Sequence, residues 1–323
     1  MKKLLFCALL GLGLVGCNEK KETAPSIKSK VESERLPIAD PYVMLYNDKY
    51  YAYGTGGKLN GEGFACYTSH DLKDWTRDSQ VLFAADSYGD WGFWAPEVYY
   101  IEAKKKFYMF YSSAEHICVA TSDSPLGPFR QKEKRPIRNE KGIDTSLFID
   151  EDGKAYLYFV RFDNGNVIWV AEMNEDLTSI KEETLTKCIQ VSEPWELAQD
   201  KVANVAEGPS VLKKGGVYYM IYSANHFESK YYGVGYATSK SPYGPWKKAD
   251  ENPILQRVDG LCGTGHGAPF KTKEGSWKYI FHAHWNQQKV QPRTSYIKDF
   301  EVLDNGKVTI SGSIIHPRVL KKK

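Results

Sequence analysis

Four carboxylates and one imidazole stand in matching surroundings along this chain. They lie in Ala39-Asp40-Pro41, Ala95-Pro96-Glu97, Ile143-Asp144-Thr145, Ala206-Glu207-Gly208-Pro209 and His266-Gly267-Ala268-Pro269. Small residues and prolines flank most of them, which suits a tight backbone bend. A lone surface carboxylate is simply solvated. Carboxylates gathered on one axis differ, because burial and mutual repulsion push their pKa values apart. One then stays ionised and activates water, while another stays protonated and donates to a leaving oxygen. His282 and His284 share one strand face. No third ligand at a diagnostic spacing joins them, so they read as core or pocket-lining residues.

The elements that must gather these groups form a repeat. An apolar-aromatic strand recurs as Lys49–Tyr53, Lys106–Tyr111, Lys154–Phe159, Val217–Tyr222 and Trp277–Phe281. The spacing is roughly 50 to 60 residues, the range of propeller repeats. A shorter strand and a tight turn precede each copy, as in Leu147-Phe148-Ile149 before Asp152-Gly153, which signals a hairpin. A third strand follows, clearest at Val119–Ser122 and Gly235–Ser239. It ends in the matched turns Ser124-Pro125-Leu126-Gly127-Pro128 and Ser241-Pro242-Tyr243-Gly244-Pro245. A short fourth strand completes the unit. Four antiparallel strands repeated five times predict an all-β, five-bladed β-propeller. The ionisable segments then open the first strand of each blade, at the mouth of a central pocket.

Asp40 in Ala-Asp-Pro, Asp144 in Ile-Asp-Thr-Ser-Leu-Phe, Glu207 in Ala-Glu-Gly-Pro, and Trp94-Ala95-Pro96-Glu97 together resemble glycoside hydrolase family 43. The likeness runs from about residue 36 over nearly the whole chain, and its strength lies in the order and spacing of the motifs. The resemblance implies an inverting hydrolase with Asp40 as general base and Glu207 as general acid. Asp144 would orient the acid and tune its pKa. Inversion implies that Asp40 and Glu207 sit roughly 6.5–9.5 Å apart, with room for water. His266 resembles the family's axial histidine near a bound cation, which implies a calcium ion, largely water-coordinated, in the central channel. Arg293 falls where the family often places a sugar-binding arginine. Phe93, Trp94 and Asn225 are candidate pocket walls, since an aromatic face can stack on a sugar.

The resemblance points to plant-type polysaccharide side chains or oligosaccharides, with α-L-arabinofuranosidase activity ahead of β-xylosidase and exo-galactanase activity. An intact Asp40 disfavours the last. Fructan-cleaving propellers open with an Asn-Asp-Pro nucleophile, whereas this chain has Ala39-Asp40-Pro41. The non-enzyme reading is a surface glycan-binding propeller, which would be expected to have lost one of Asp40, Asp144 or Glu207.

The 323 residues carry a net charge of +3, so no electrostatic footprint for nucleic acid exists. Residues 1–17 read as a lipoprotein signal peptide. Lys2 and Lys3 precede an apolar stretch too short to span a membrane, and Leu14-Val15-Gly16-Cys17 resembles a lipobox. Cys17 would then carry the lipid anchor of a cell-envelope lipoprotein, periplasmic or on the outer-membrane surface. Residues 18–35 read as a polar tether, and residues 36–320 as the catalytic propeller. Cys66, Cys118, Cys188 and Cys262 show no metal-binding spacing and read as buried free thiols.

Overall fold

The computed structural model describes residues 33–57, 62–197 and 203–321. They form the expected five-bladed, all-β propeller. Blade 1 is Ile38–Tyr46, Lys49–Gly56, Gly63–Ser69 and Asp74–Phe83. Blade 2 is Trp94–Ile101, Lys106–Ser113 and His116–Ser122, with a Thr121–Arg130 bridge in place of a fourth strand. Blade 3 is Gly142–Ile149, Ala155–Phe162, Asn166–Glu172 and Thr186–Ile189. Blade 4 is Ala206–Lys214, Val217–Ala224, Gly233–Ser239 and Lys247–Lys248. Blade 5 is Gly265–Lys271, Trp277–Ala283, Thr294–Val302 and Val308–Ile315.

The repeated aromatic strand is the second strand of each blade. It is apolar at successive positions because both its faces are buried. In blade 2, Phe107, Met109 and Tyr111 pack toward blade 1, while Tyr108 and Phe110 pack toward blade 3. In blade 3, Tyr156, Tyr158 and Val160 face blade 4, while Leu157 and Phe159 face blade 2. Two further clusters fill the seams between blades 4 and 5 and between blades 5 and 1. The hydrophobic core is thus five wedges, one per seam. The matched Ser-Pro turns bind the seams from outside: the Tyr53 hydroxyl donates to the Pro125 carbonyl, and the Tyr158 hydroxyl to the Pro242 carbonyl, each at 2.7 Å.

One sequence expectation shifts. Ser33–Arg35, assigned to the tether, is a strand paired antiparallel with Arg318–Leu320. Arg318–Leu320 in turn runs parallel to the start of Asp74–Phe83. The remaining tether and the signal segment lie outside the described residues. Cys66, Cys118, Cys188 and Cys262 are free. Three are buried and Cys188 is half-buried, and burial raises each thiol pKa above its ordinary value.

Candidate active site

Each innermost strand breaks its pairing register near its start. The breaks fall between Ala39 and Tyr42, Trp94 and Glu97, Glu207 and Ser210, and Gly265 and Gly267. In blade 3 the pairing skips Asp144 and Thr145. A residue of positive φ sits in every bulge: Asp40, Ala95, Asp144, Gly208 and His266. A bulge frees a residue from the ladder and re-aims its side chain. Here it turns Asp40, Asp144 and His266 off the sheet edge and into the mouth of the channel. Left-handed backbone at non-glycine residues costs on the order of 1–3 kcal/mol each and clusters at functional sites.

The bulges separate residues that look equivalent in sequence. Glu207 lies one residue before its bulge, and still reaches the pocket. Glu97 lies two residues past Ala95 and takes no part in lining it. It is buried between the Tyr99 hydroxyl, which bonds it, and Ser146. Burial raises its pKa to about 8, against hydrogen bonds from Tyr99 and Ser146.

The pocket has a volume of about 820 Å³ and is lined by residues of all five blades, among them Asp40, Trp94, Asp144, Glu207, His266 and Arg293. Asp40 is clamped from three sides. Arg293 Nη1 donates to Oδ1 at 2.9 Å, and Nη2 lies 3.4 Å from Oδ2. His266 Nδ1 lies 3.4 Å from Oδ1. His282 Nδ1 lies 3.2 Å from Oδ1 and 3.0 Å from the Asp40 amide nitrogen, and Arg293 Nη1 lies 3.2 Å from His282 Nε2. Burial lowers the His282 pKa to about 3, with the nearby Arg293 charge acting in the same sense, so the ring is neutral. The Asp40 amide donates to His282 Nδ1, which is therefore the acceptor of that bond. Burial of Asp40 opposes ionisation. The Arg293 charge, His266 and His282 outweigh it and hold the carboxyl well below the usual range.

Asp144 and Glu207 behave oppositely. Burial, then the charges of Glu207 and Asp40, push Asp144 well above its ordinary pKa. Burial raises Glu207 to about 7, against hydrogen bonds from Tyr232 and Asn166. The Tyr232 hydroxyl donates to Glu207 Oε1 at 2.8 Å, and Asn166 Nδ2 donates to Oε2 at 2.7 Å. The Asp144 amide donates to Ser112 Oγ at 3.0 Å, and the His266 amide to Ser223 Oγ at 2.8 Å. These serines belong to second strands and fix the bulges from behind. The arrangement keeps one carboxylate ionised and a neighbouring pair reluctant to ionise, within one pocket.

Several sequence expectations are corrected here. Phe93 is buried in the seam between blades 1 and 2, stacked on Tyr111 and edge-on to Phe64, so it is core and not pocket wall. Asn225 is fully buried and donates to the Trp195 carbonyl; its neighbours His226 and Phe227 line the pocket instead. Arg293 is in the pocket, but its fork is engaged with Asp40. Its guanidinium also lies 4.7 Å over the Phe227 ring. Among the described residues, no group of three His, Cys, Asp or Glu side chains could hold a metal ion. His266 turns Nδ1 toward Asp40 and Asp144, 3.4 and 3.7 Å away. The expected calcium would therefore draw its oxygen ligands almost wholly from water.

Sequence reasoning missed Asn166, Tyr232, Ser112, Ser223 and Phe227. Asn166 ends a hairpin turn, where an asparagine reads as turn chemistry. Tyr232 is one tyrosine among 22. Only the three-dimensional closure of the ring marks either as a partner of Glu207.

Residues 35–308 match the family described as Glycosyl hydrolases family 43. Among solved structures, an endo-1,4-beta-xylanase from Bacteroides thetaiotaomicron is 69% identical, with a TM-score of 0.88 over 90% of this chain and 100% of that one. A thermostable family-43 glycoside hydrolase is 35% identical, with a TM-score of 0.79 over 89% of this chain and 96% of that one. A beta-xylosidase from Xylanibacter ruminicola is 28% identical over 76% of this chain and 86% of its own length. The chain belongs to glycoside hydrolase family 43 and is a glycoside hydrolase.

Proposed function

We propose that the chain is an inverting hydrolase of pentose-containing plant-type glycans, with Asp40 as general base, Glu207 as general acid and Asp144 as the group that orients and tunes the acid. The observation that carries this reading is the opposed electrostatics of three carboxylates in one pocket. Asp40, held ionised by Arg293, takes a proton from water as its oxygen attacks the anomeric carbon. Glu207, protonated near neutral pH, gives its proton to the leaving oxygen as the glycosidic bond breaks. Asp144 lies beside Glu207 with a raised pKa of its own. As Glu207 loses its proton, the charge it gains is opposed by any charge on Asp144, so the neutral form of Asp144 favours the transfer. Arg293, His266 and His282 then serve to place Asp40 and keep it charged.

Among sugars, both pentoses fit the reading. The sequence places α-L-arabinofuranosides first. The relative at 69% identity bears the name of a xylanase, which moves β-xylosyl linkages ahead. The test is hydrolysis of aryl β-D-xyloside and aryl α-L-arabinofuranoside by wild type, Asp40→Asn and Glu207→Gln. Loss of turnover by at least about 10³-fold in Asp40→Asn is expected. Glu207→Gln should lose less, because an activated leaving group needs little protonation. Tight glycan binding with no turnover by wild type would replace this reading with that of a binding propeller. The same proposal places a lipid on Cys17 and the body at the cell envelope. Metabolic labelling with a radioactive fatty acid, abolished by Cys17→Ala, checks that part.

A further inference from the structure

Trp91 is 49% exposed and stands against Trp94, which lines the pocket. Single exposed hydrophobic side chains are ordinary, but this one is held in place. The Ala114 amide donates to the Trp91 carbonyl at 2.9 Å. The Ser113 hydroxyl donates to the Tyr88 carbonyl at 2.7 Å, and the Tyr88 amide donates to Gln131 Oε1 at 2.7 Å. The Ser87 hydroxyl pairs with Tyr111. Gly92 has a φ of 66°, and a Cβ there would stand 3.2 Å from the Trp94 ring. The glycine lets the loop lie flat against that ring. Trp91 meets Trp94 edge-on, with centroids 5.9 Å apart and planes at 80°.

Trp94 itself lines the pocket, and so does Glu115, next to the residue that pins Trp91. Glu115 pairs with Lys141 at 2.5 Å. An exposed indole thus abuts the pocket wall at Trp94, on a loop tied to Ala114 beside Glu115, and Glu115 is itself paired with Lys141. One face of a sugar ring presents C–H groups that an indole desolvates, while its hydroxyls need acceptors and donors at the edge. A platform already rigid before binding loses little entropy on contact.

We propose that Trp91 is the platform of a further sugar subsite outside the carboxylate pocket, which takes the next unit of an oligosaccharide chain. Glu115 and Lys141 supply hydrogen bonds to that unit's hydroxyls. The inference rests on the glycosidase reading and narrows it: the substrate is a chain of sugars, and single-ring glycosides use only part of the site.

The test compares aryl β-D-xyloside and aryl α-L-arabinofuranoside with linear β-1,4-xylo-oligosaccharides and α-1,5-arabino-oligosaccharides of two to five units. In wild type, kcat/KM should climb with chain length for the series that is cleaved. Trp91→Ala should cut that gain, read as the ratio of tetramer to aryl glycoside, by about tenfold. Trp91→Phe should restore most of it. An unchanged ratio in Trp91→Ala would overturn the subsite. If wild type cleaves nothing, the pentoside reading of the substrate fails on its own. Calorimetric binding of the same oligosaccharides then decides the subsite: equal affinities of wild type and Trp91→Ala overturn it, and an affinity drop of about tenfold supports it. Circular dichroism of the variant should match wild type, since the indole is not core.

Discussion

At the scale of single residues, the site works by dividing charge unequally among buried carboxyls. Asp40 has its guanidinium and two imidazoles, whereas Glu207 has only a tyrosine hydroxyl and an amide. The difference has a consequence for stability. Glu207 has a folded pKa of about 7, above its unfolded value near 4.5. Its contribution is therefore fully present below about pH 4.5 and is lost as pH rises through about 7. Glu207→Gln is neutral at every pH and keeps an acceptor for Tyr232 or Asn166. It should melt about 2–5 °C higher than wild type at pH 8 and close to wild type at pH 4.5. Calorimetry at the two pH values checks this. A variant less stable than wild type at pH 8 would show that the hydrogen bonds of Glu207 outweigh its desolvation. The sign is opposite for Asp40, whose depressed pKa adds stability that is lost as pH falls. Breaking its buried pair by Arg293→Ala leaves an uncompensated charge, the costly kind of loss.

At the scale of elements, the bulge is the device that makes a site from a sheet edge. Its sequence trace is a carboxylate or histidine between small residues, and that trace led to Asp40, Asp144, Glu207 and His266. The trace also led to Glu97, because sequence shows the flanking proline but not how many residues the bulge absorbs. Two positions of offset are enough to bury Glu97 beside Tyr99 instead. Phe93 and Asn225 failed for a related reason. On the strand start, Phe93 and Trp94 face opposite ways, so the pocket takes Trp94 and the core takes Phe93, while Asn225 turns inward at a bend and His226 and Phe227 line the pocket instead. The aromatic second strands were fully legible, since burial on both faces writes itself as an unbroken apolar run. Gly208 tests the bulge directly. Its φ is 56°, and a Cβ would stand 2.8 Å from His266 Cδ2. Its amide also hydrogen-bonds Asp144. Gly208→Ala should cost about 1–3 kcal/mol of stability and lower kcat by displacing His266. Normal kcat with lowered stability would confine the role of Gly208 to the backbone.

At the scale of the whole molecule, the site exists only while the ring is closed. Asp40 comes from blade 1, and its partners Arg293, His266 and His282 belong to blade 5 and the loop within it. The four main strands of blade 1 are consecutive, and Ser33–Arg35 and Arg318–Leu320 extend the same sheet at its outer edge. The seam between blades 5 and 1 depends on side-chain packing and on Arg318–Leu320, laid beside the outer strand of blade 1. Val319 is 3% exposed, in a cluster that includes Trp75, Phe270 and Ile297. The Arg318–Asp74 pair is exposed on the Arg side and contributes little, so Val319 is the residue that holds the clasp. Val319→Asp places a charge in that cluster and should cost about 3 kcal/mol or more. If the seam opens first, Arg293 leaves Asp40 before the other blades unfold. Activity should then fall several degrees below the melting transition seen by far-ultraviolet circular dichroism, whereas in wild type the two should coincide. Coincident loss of activity and secondary structure in Val319→Asp, at a lower shared temperature, would mean that the ring unfolds as one cooperative unit and that the clasp stabilises all five blades equally.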